Sequence, residues 1–207
     1  GARLDEHGTL TDVTDDTIDT TGAIGFSISG GGMKLAIVRP DGLTGPADKT
    51  SYLGLEVSLA GASLVGVEGL VLKASGTVLV NRATTAAGTV GAQRVNWATA
   101  TTTPAGLLPS FSSRLLSAVG LQIDGSASVD AYGFVIGTAT FSFTKATVAV
   151  ATGNSALGTA GTLSDAALVV VTFSNVNLFA GVGARLDEHG TLTDVTAGDF
   201  HANSVSG

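Results

Sequence analysis

The chain has 207 residues, of which 44% are hydrophobic and 13% are charged, and its formal net charge is −7. Hydrophobicity at this level with so few charges excludes a disordered chain, and ten scattered basic residues in an acidic protein argue against nucleic-acid binding. The absence of cysteine excludes disulfides, thiol chemistry and Cys-ligated zinc, and no apolar run reaches the roughly 18 residues of a transmembrane segment.

The first element in the chain is a segment of fourteen residues that occurs twice. Residues 1–14 return without a change as residues 183–196. We therefore predict one full repeat unit over 1–182 and the start of the next over 183–207, as in a tandem array. The identical stretch is either a junction that every unit forms or a recent duplication boundary. Its glycine and apolar positions form the predicted assembly junction: Gly1, Leu4, Leu10, Val13, Gly183, Leu186, Leu192 and Val195.

Acidic residues follow closely after the first copy of this segment. Asp12, Asp15, Asp16 and Asp19 bring carboxylates together at short spacing, and Ca²⁺ is bound by six to eight oxygen ligands. The sequence thus suggests a calcium site as a hypothesis, with a solvated acidic turn as the alternative. The second copy of the segment lacks the counterparts of Asp15, Asp16 and Asp19, which favours the solvated turn.

Most of the remaining chain predicts short β-strands, because Val, Ile, Thr and Phe alternate with polar or small residues between Gly and Ser clusters. In chain order the strands are predicted at 25–30, 33–38, 52–59, 69–73, 77–80, 121–125, 127–130, 133–137, 140–144, 148–150, 167–173 and 175–179.

One stretch predicts a helix instead. Apolar residues recur at helical spacing between Leu107 and Val119, Ser110 is placed to cap the start, and Gly120 to stop the end. The fold class is therefore all-β, and we predict a parallel β-solenoid-like repeat block with one short helix. A β-sandwich domain in a tandem array is the alternative.

The sequence predicts no catalytic and no cofactor-binding residue. The Asp-Glu-His-Gly at residues 5–8 lacks a nucleophile motif and is interpreted as a loop. A polysaccharide-degrading solenoid enzyme would need Lys34, Asp41 and Asp48 gathered in a groove. A glycan-binding module would use exposed aromatic side chains, for which the candidates are Trp97, Tyr52 and Tyr132.

Three stretches carry a resemblance to a class of known proteins: residues 174–183, the fourteen-residue repeat, and residues 52–81. In long repeats, Val/Thr/Gly/Ala-rich strands and lack of cysteine, the chain resembles giant tandem-repeat bacterial extracellular or cell-surface proteins, such as adhesin-like, matrix or sheath fibre components. The resemblance implies secretion and a mechanical or adhesive role. It also implies copies of the same chain as partners, with cell-surface glycan as the partner under the adhesin alternative.

Overall fold

The computed structural model describes residues 1–5, 17–40, 50–85, 93–186 and 200–202. These residues contain ten strands and no helix. The strands are β1 (Arg3–Asp5), β2 (Thr17–Asp19), β3 (Gly25–Val38), β4 (Ser51–Val65), β5 (Leu70–Thr84), β6 (Val119–Ala131), β7 (Val135–Ala151), β8 (Thr162–Ala180), β9 (Ala184–Leu186) and β10 (Phe200–Ala202).

Six strands form one sheet in the order β3-β4-β5-β6-β7-β8, and every neighbouring pair is antiparallel. The all-β prediction is confirmed, but the prediction of a parallel solenoid is wrong about strand direction. Short turns such as 66–69 and 132–134 reverse the chain, whereas parallel neighbours need a crossover of a dozen or more residues. The other described sheets are two-stranded, so the sandwich alternative also finds no second large sheet.

The strands are longer than the sequence predicts. Predicted strands 69–73 and 77–80 are both part of β5, and the predicted break at Gly125 lies inside β6. Gly76 of β5 lies directly opposite Gly125, and a Cβ on Gly76 would overlap the carbonyl oxygen of Asp124. These glycines therefore allow a close approach of two strands within the sheet, a use of glycine that a sequence pattern does not separate from a turn.

Alternation along the strands gives the sheet two unlike faces, since opposed residues of neighbouring strands share a face. We call one of them the apolar face. It is defined by a row of opposed residues across all six strands and by the alternate positions along those strands. The row consists of Met33, Val57, Val78, Ile123, Phe143 and Val171.

The opposite side of the sheet, which we call the covered face, carries on β6 and β7 the Ser and Thr residues at positions 126, 128, 138, 140 and 142, and beside them the fully buried Ile136. Over β3 to β5 it carries Ala36, Leu79 and Asn81, and here the segment 93–118 packs on it. Leu115 and Leu79 are fully buried in the resulting core, together with Trp97 and Phe111.

The helix predicted over 107–119 is wrong, because side chains of the sheet bind backbone groups that a helix would pair internally. The Glu56 carboxylate accepts a hydrogen bond from the Ser112 N–H at 2.7 Å, and the Asn81 side-chain amide donates to the Leu116 carbonyl at 2.9 Å. The apolar spacing of the segment marks separate anchoring points on the sheet. Only part of it is buried, since Leu116 is 43% exposed.

The two remaining pairs of strands are hairpins whose first strand lies in the repeated segment and whose second strand lies just after it. Leu4 lies opposite Ile18 in the β1–β2 pair, and Leu186 lies opposite Phe200 in the β9–β10 pair. These are equivalent positions, because Leu186 and Phe200 are Leu4 and Ile18 displaced by the offset of the repeat. The two copies thus form the same strand pairing, while the unit boundaries themselves stay a prediction.

Candidate assembly site

The first hairpin is closed by an ion pair on its surface. The Arg3 guanidinium Nε lies 2.9 Å from the Asp19 carboxylate, which also accepts the Thr21 N–H at 2.9 Å. The Thr21 N–H and hydroxyl, followed by the Arg3 guanidinium, hold the pKa of Asp19 below its ordinary value. Both partners are partly or largely solvent-exposed, so the pair fixes the geometry of the hairpin more than its stability.

The calcium hypothesis rests mostly on residues outside the described part of the chain. Asp12, Asp15 and Asp16 lie there, and Asp19 is the described member of the set. Among the described residues, no three acidic or histidine side chains come together in a group that could hold a metal ion. The calcium site stays a prediction, and the described carboxylate is already engaged by Arg3 and Thr21.

Half of the predicted junction residues lie within the described ranges. Gly1 and Leu4 are exposed, Gly183 has a φ of +89° that glycine adopts readily, and Leu186 is half-buried. The other four, Leu10, Val13, Leu192 and Val195, lie outside the described residues. The described members fall in or directly beside the two equivalent hairpins.

The second hairpin is docked on the turn between β6 and β7. The Asp130 carboxylate accepts hydrogen bonds from the Gly133 N–H at 2.8 Å and from the Leu186 N–H at 3.4 Å. The Gly181 N–H donates to the Phe134 carbonyl at 2.9 Å. Sequence reasoning missed Asp130, although an aspartate three residues before a turn glycine is a recognisable signal for this kind of side-chain-to-backbone bond.

The edges of the sheet are the strands β3 and β8, and no described strand pairs with the outer side of either. β8 has 19 residues, and almost all of them are exposed. Edge strands of monomeric proteins are usually short, charged or covered, because a free row of N–H and C=O groups recruits other strands. β8 carries Asp165 as its charged residue and is otherwise a long open edge.

Lys34, a candidate for the enzyme alternative, is engaged in the structure. Its ammonium lies 2.8 Å from the Glu56 carboxylate across β3 and β4. Burial raises the pKa of Glu56, but the Lys34 ammonium and the Ser112 N–H more than offset this effect and leave the pKa below its ordinary value. The other two candidates, Asp41 and Asp48, lie outside the described residues.

The aromatic candidates for glycan contact do not form one surface, since Trp97 and Tyr52 share a core and Tyr132 lies in a turn. Trp97 is 3% exposed, its indole N–H donates to the Asn81 side-chain oxygen at 3.1 Å, and its ring lies 5.5 Å from that of Phe111. It is therefore a core residue and cannot stack on a sugar at the surface. Tyr132 is 64% exposed in the β6–β7 turn, and Tyr52 packs beside the Trp97 core.

Within the described ranges, no helix is long and apolar enough to cross a membrane. Comparison of the chain with protein-family models, with curated proteins and with solved structures gives no match.

Proposed function

We propose that this chain is a structural repeat of a giant secreted protein that forms an extracellular fibre or stalk. In this proposal the units join edge to edge, so that β8 of one unit pairs with β3 of the next and one antiparallel sheet continues along the fibre. The observation that carries the proposal is the order of the strands. The sheet begins with β3 and ends with β8 in both space and sequence, and both edges are open among the described strands.

Strand direction supports this joining. A meander of six strands has an even number, so its last strand runs opposite to its first. The first strand of the following unit, with the same orientation as β3, is then antiparallel to β8. Antiparallel neighbours need no long crossover, and a continuous meander is the simplest result.

The hairpins supply the connection between units. The second hairpin follows directly after β8, and Gly207 occupies the position equivalent to Gly25, the first residue of β3. Each hairpin therefore separates the last strand of one sheet from the first strand of the next. Asp130 binds the backbone of this hairpin, which keeps the connection at the end of the sheet and leaves the β8 edge free.

Composition and resemblance support a location outside the cell. The chain has no cysteine, few charges and a Gly/Thr/Val-rich character, as repetitive surface proteins do. Identical units joined by one heterologous contact propagate instead of closing into a ring. We do not propose glycan binding, because Trp97 is buried, Tyr52 packs on the same core, and Tyr132 is the one candidate of the three that is largely exposed.

Electron microscopy of a single chain that carries three consecutive units tests the proposal. Six strands at about 4.8 Å predict an axial rise of roughly 29 Å per unit, with the strands perpendicular to the long axis. Fibre diffraction of aligned material should then show the strand spacing along the fibre axis. Separate globular beads, or a rise close to the roughly 50 Å length of a fifteen-residue strand, would contradict edge pairing.

A further inference from the structure

The apolar face is uncovered by described residues along the row that runs from Met33 to Val171. The segment 93–118 packs on the covered face, and its contact with the apolar face lies at one end, where the Arg94 guanidinium donates to the Thr147 hydroxyl at 3.1 Å. The edge positions of the apolar face are correspondingly open, with Met33 at 70% and Phe173 at 66% exposure. Soluble monomeric proteins rarely leave more than a few hundred Å² of contiguous apolar surface exposed.

The size of this face matches what a stable pair of sheets needs. Six strands at about 4.8 Å and about twelve residues at roughly 3.3 Å give on the order of 1,000 Å² per sheet. Two such faces in contact bury about 2,000 Å² in total, which is the range of permanent homodimers. The spacing of packed sheets, about 10 Å, leaves no room for water between them.

The apolar face has both a pocket and a projecting ridge. Ala74, Ala127 and Ala139 form a row of small side chains across β5, β6 and β7. Next to this row lies a pocket of about 270 Å³, lined by Leu72, Val129, Gly137 and Leu178 among others. That volume accepts one large apolar side chain.

The ridge lies on the same face, close to the pocket. Phe173 of β8 stands opposite Phe141 of β7 and projects at the open edge. We infer that the apolar face packs against the apolar face of a second copy, with aromatic and aliphatic ridges of one sheet seated in the alanine row and pocket of the other. A twofold contact needs both complementary features on one surface, and this face has them.

The basic residues on the apolar face are compatible with packing of two such faces. Lys145 and Arg82 share the apolar face through their pairing with Leu121 and Leu53, and both lie toward the same end of the sheet. When the two sheets are related by a twofold axis across the strands, these ends lie far apart. The inference does not depend on edge pairing, because the face and the edges are different surfaces.

Sedimentation velocity over a concentration series tests the inference on the 207-residue protein. We expect face-to-face dimers at tens of micromolar, together with the larger oligomers that edge pairing adds. Ile123→Glu places a carboxylate at the centre of the apolar face and should weaken association at least tenfold. Gln122→Glu, the neighbour on the covered face, should change it less than twofold. Circular dichroism verifies that each variant is folded.

A second pair of variants covers the case in which Ile123→Glu fails to fold. Phe173 and Thr172 are adjacent on β8 and lie on opposite faces, both exposed. Phe173→Glu should weaken the dimer and Thr172→Glu should not.

Three results would overturn the inference. The first is a wild-type monomer throughout the series, and the second is equal loss of association in both members of a pair. The third is a monomer that floats with phosphatidylcholine vesicles, because lipid would then cover the face. Failure of edge pairing looks different, since it removes the open-ended series of larger oligomers and leaves the dimer in place.

Discussion

The two faces of the sheet differ in what covers their apolar residues. On the covered face, the segment 93–118 contributes Trp97, Phe111 and Leu115 to a core over Leu79. On the apolar face, a row of six apolar side chains crosses all six strands with no described segment over it. One face is covered over β3 to β5 within the chain, and under the inferred pairing a second copy covers the other.

The two faces also contribute differently to stability, since one contribution is independent of protein concentration and the other is not. The covered core belongs to each unit alone, so its contribution to the free energy of unfolding does not depend on protein concentration. Burial of the apolar face requires association, and its contribution follows mass action. Substitutions on the two faces should therefore differ in how their effects change with concentration.

Truncation of the covered core has the largest expected effect. Leu115 is fully buried, and Leu115→Ala should lower the free energy of unfolding by about 3 kcal/mol through lost burial and a cavity. Urea denaturation at several protein concentrations measures this loss. We expect the difference between Leu115→Ala and the wild type to be the same at every concentration. Leu107→Ala is the control, because Leu107 is 71% exposed and the change should stay within about 0.5 kcal/mol. Equal effects of the two would mean that the segment does not pack on the sheet.

The second largest effect is expected from removal of the buried Asn81 side-chain amide, which binds the segment 93–118 to the sheet. The Asn81 side chain donates to the Val95 and Leu116 carbonyls and accepts from the Trp97 indole. Asn81→Ala leaves these groups without partners and should cost about 2 kcal/mol. It should also change tryptophan fluorescence in the folded state. Asn177→Ala, at an exposed amide on β8, should leave the fluorescence unchanged. Unaltered fluorescence in Asn81→Ala would contradict the arrangement of this core.

A smaller effect is expected from the carboxylate that joins β3, β4 and the segment. The pKa of Glu56 lies below its ordinary value of 4.5, so the folded state favours its ionised form. Its contribution to stability is present above that ordinary value and is lost as the pH falls through the lower, folded pKa. Glu56→Gln should therefore be less stable than the wild type at pH 7, and the difference should shrink on acidification below about pH 4.

The control for this pH dependence is Glu68→Gln, at an exposed position in the β4–β5 turn. Denaturation curves at pH 7 and at pH 3 should show little difference from the wild type at either value. A wild-type advantage over Glu56→Gln that grows toward pH 3 would reverse the assigned sign and refute the account of this site.

The smallest effect is expected at the first hairpin. The ion pair between Arg3 and Asp19 joins two strands of three residues each, and the Arg3 side chain is 74% exposed. Arg3→Ala should leave the midpoint of urea unfolding unchanged, because exposed ion pairs contribute little. The difference in stability between Arg3→Ala and the wild type should stay equally small when the salt concentration is raised. A clear loss of stability in Arg3→Ala would show that the hairpin is part of the folded core.

The sequence predicts the all-β class and most strand positions, because alternation reports which residues share a face. It does not give strand direction: Gly76 and Gly125 indicate breaks in the pattern, yet they lie opposite each other inside long strands. The segment 107–119 has helical spacing, but Glu56 and Asn81 bind its backbone from distant strands. Such competition from tertiary contacts cannot be read from local spacing.

Part of the candidate assembly site could be predicted from the sequence, and the rest depends on contacts between residues that are distant in the chain. The repeated segment marks the first strand of each hairpin, since identity is visible in the sequence itself, but the second strands lie beyond it, where the two copies differ. The docking of the second hairpin on Asp130 depends on a turn 56 residues away in the chain. The open edges become visible only when the strand order is known, because β3 and β8 differ little from the inner strands in composition.

Disulfide cross-linking between units most directly tests whether one sheet with one continuous apolar face runs through the array. The chain has no cysteine, so any disulfide that forms must join the introduced cysteines. In a two-unit chain, Val171→Cys in the first unit is combined with Gly31→Cys, Met33→Cys or Leu35→Cys in the second. We predict that one of these apolar-face pairs forms a disulfide within the chain, and that Thr172→Cys forms none with the same three partners. Absence of any cross-link from residue 171, or equal cross-linking from residue 172, would contradict the account.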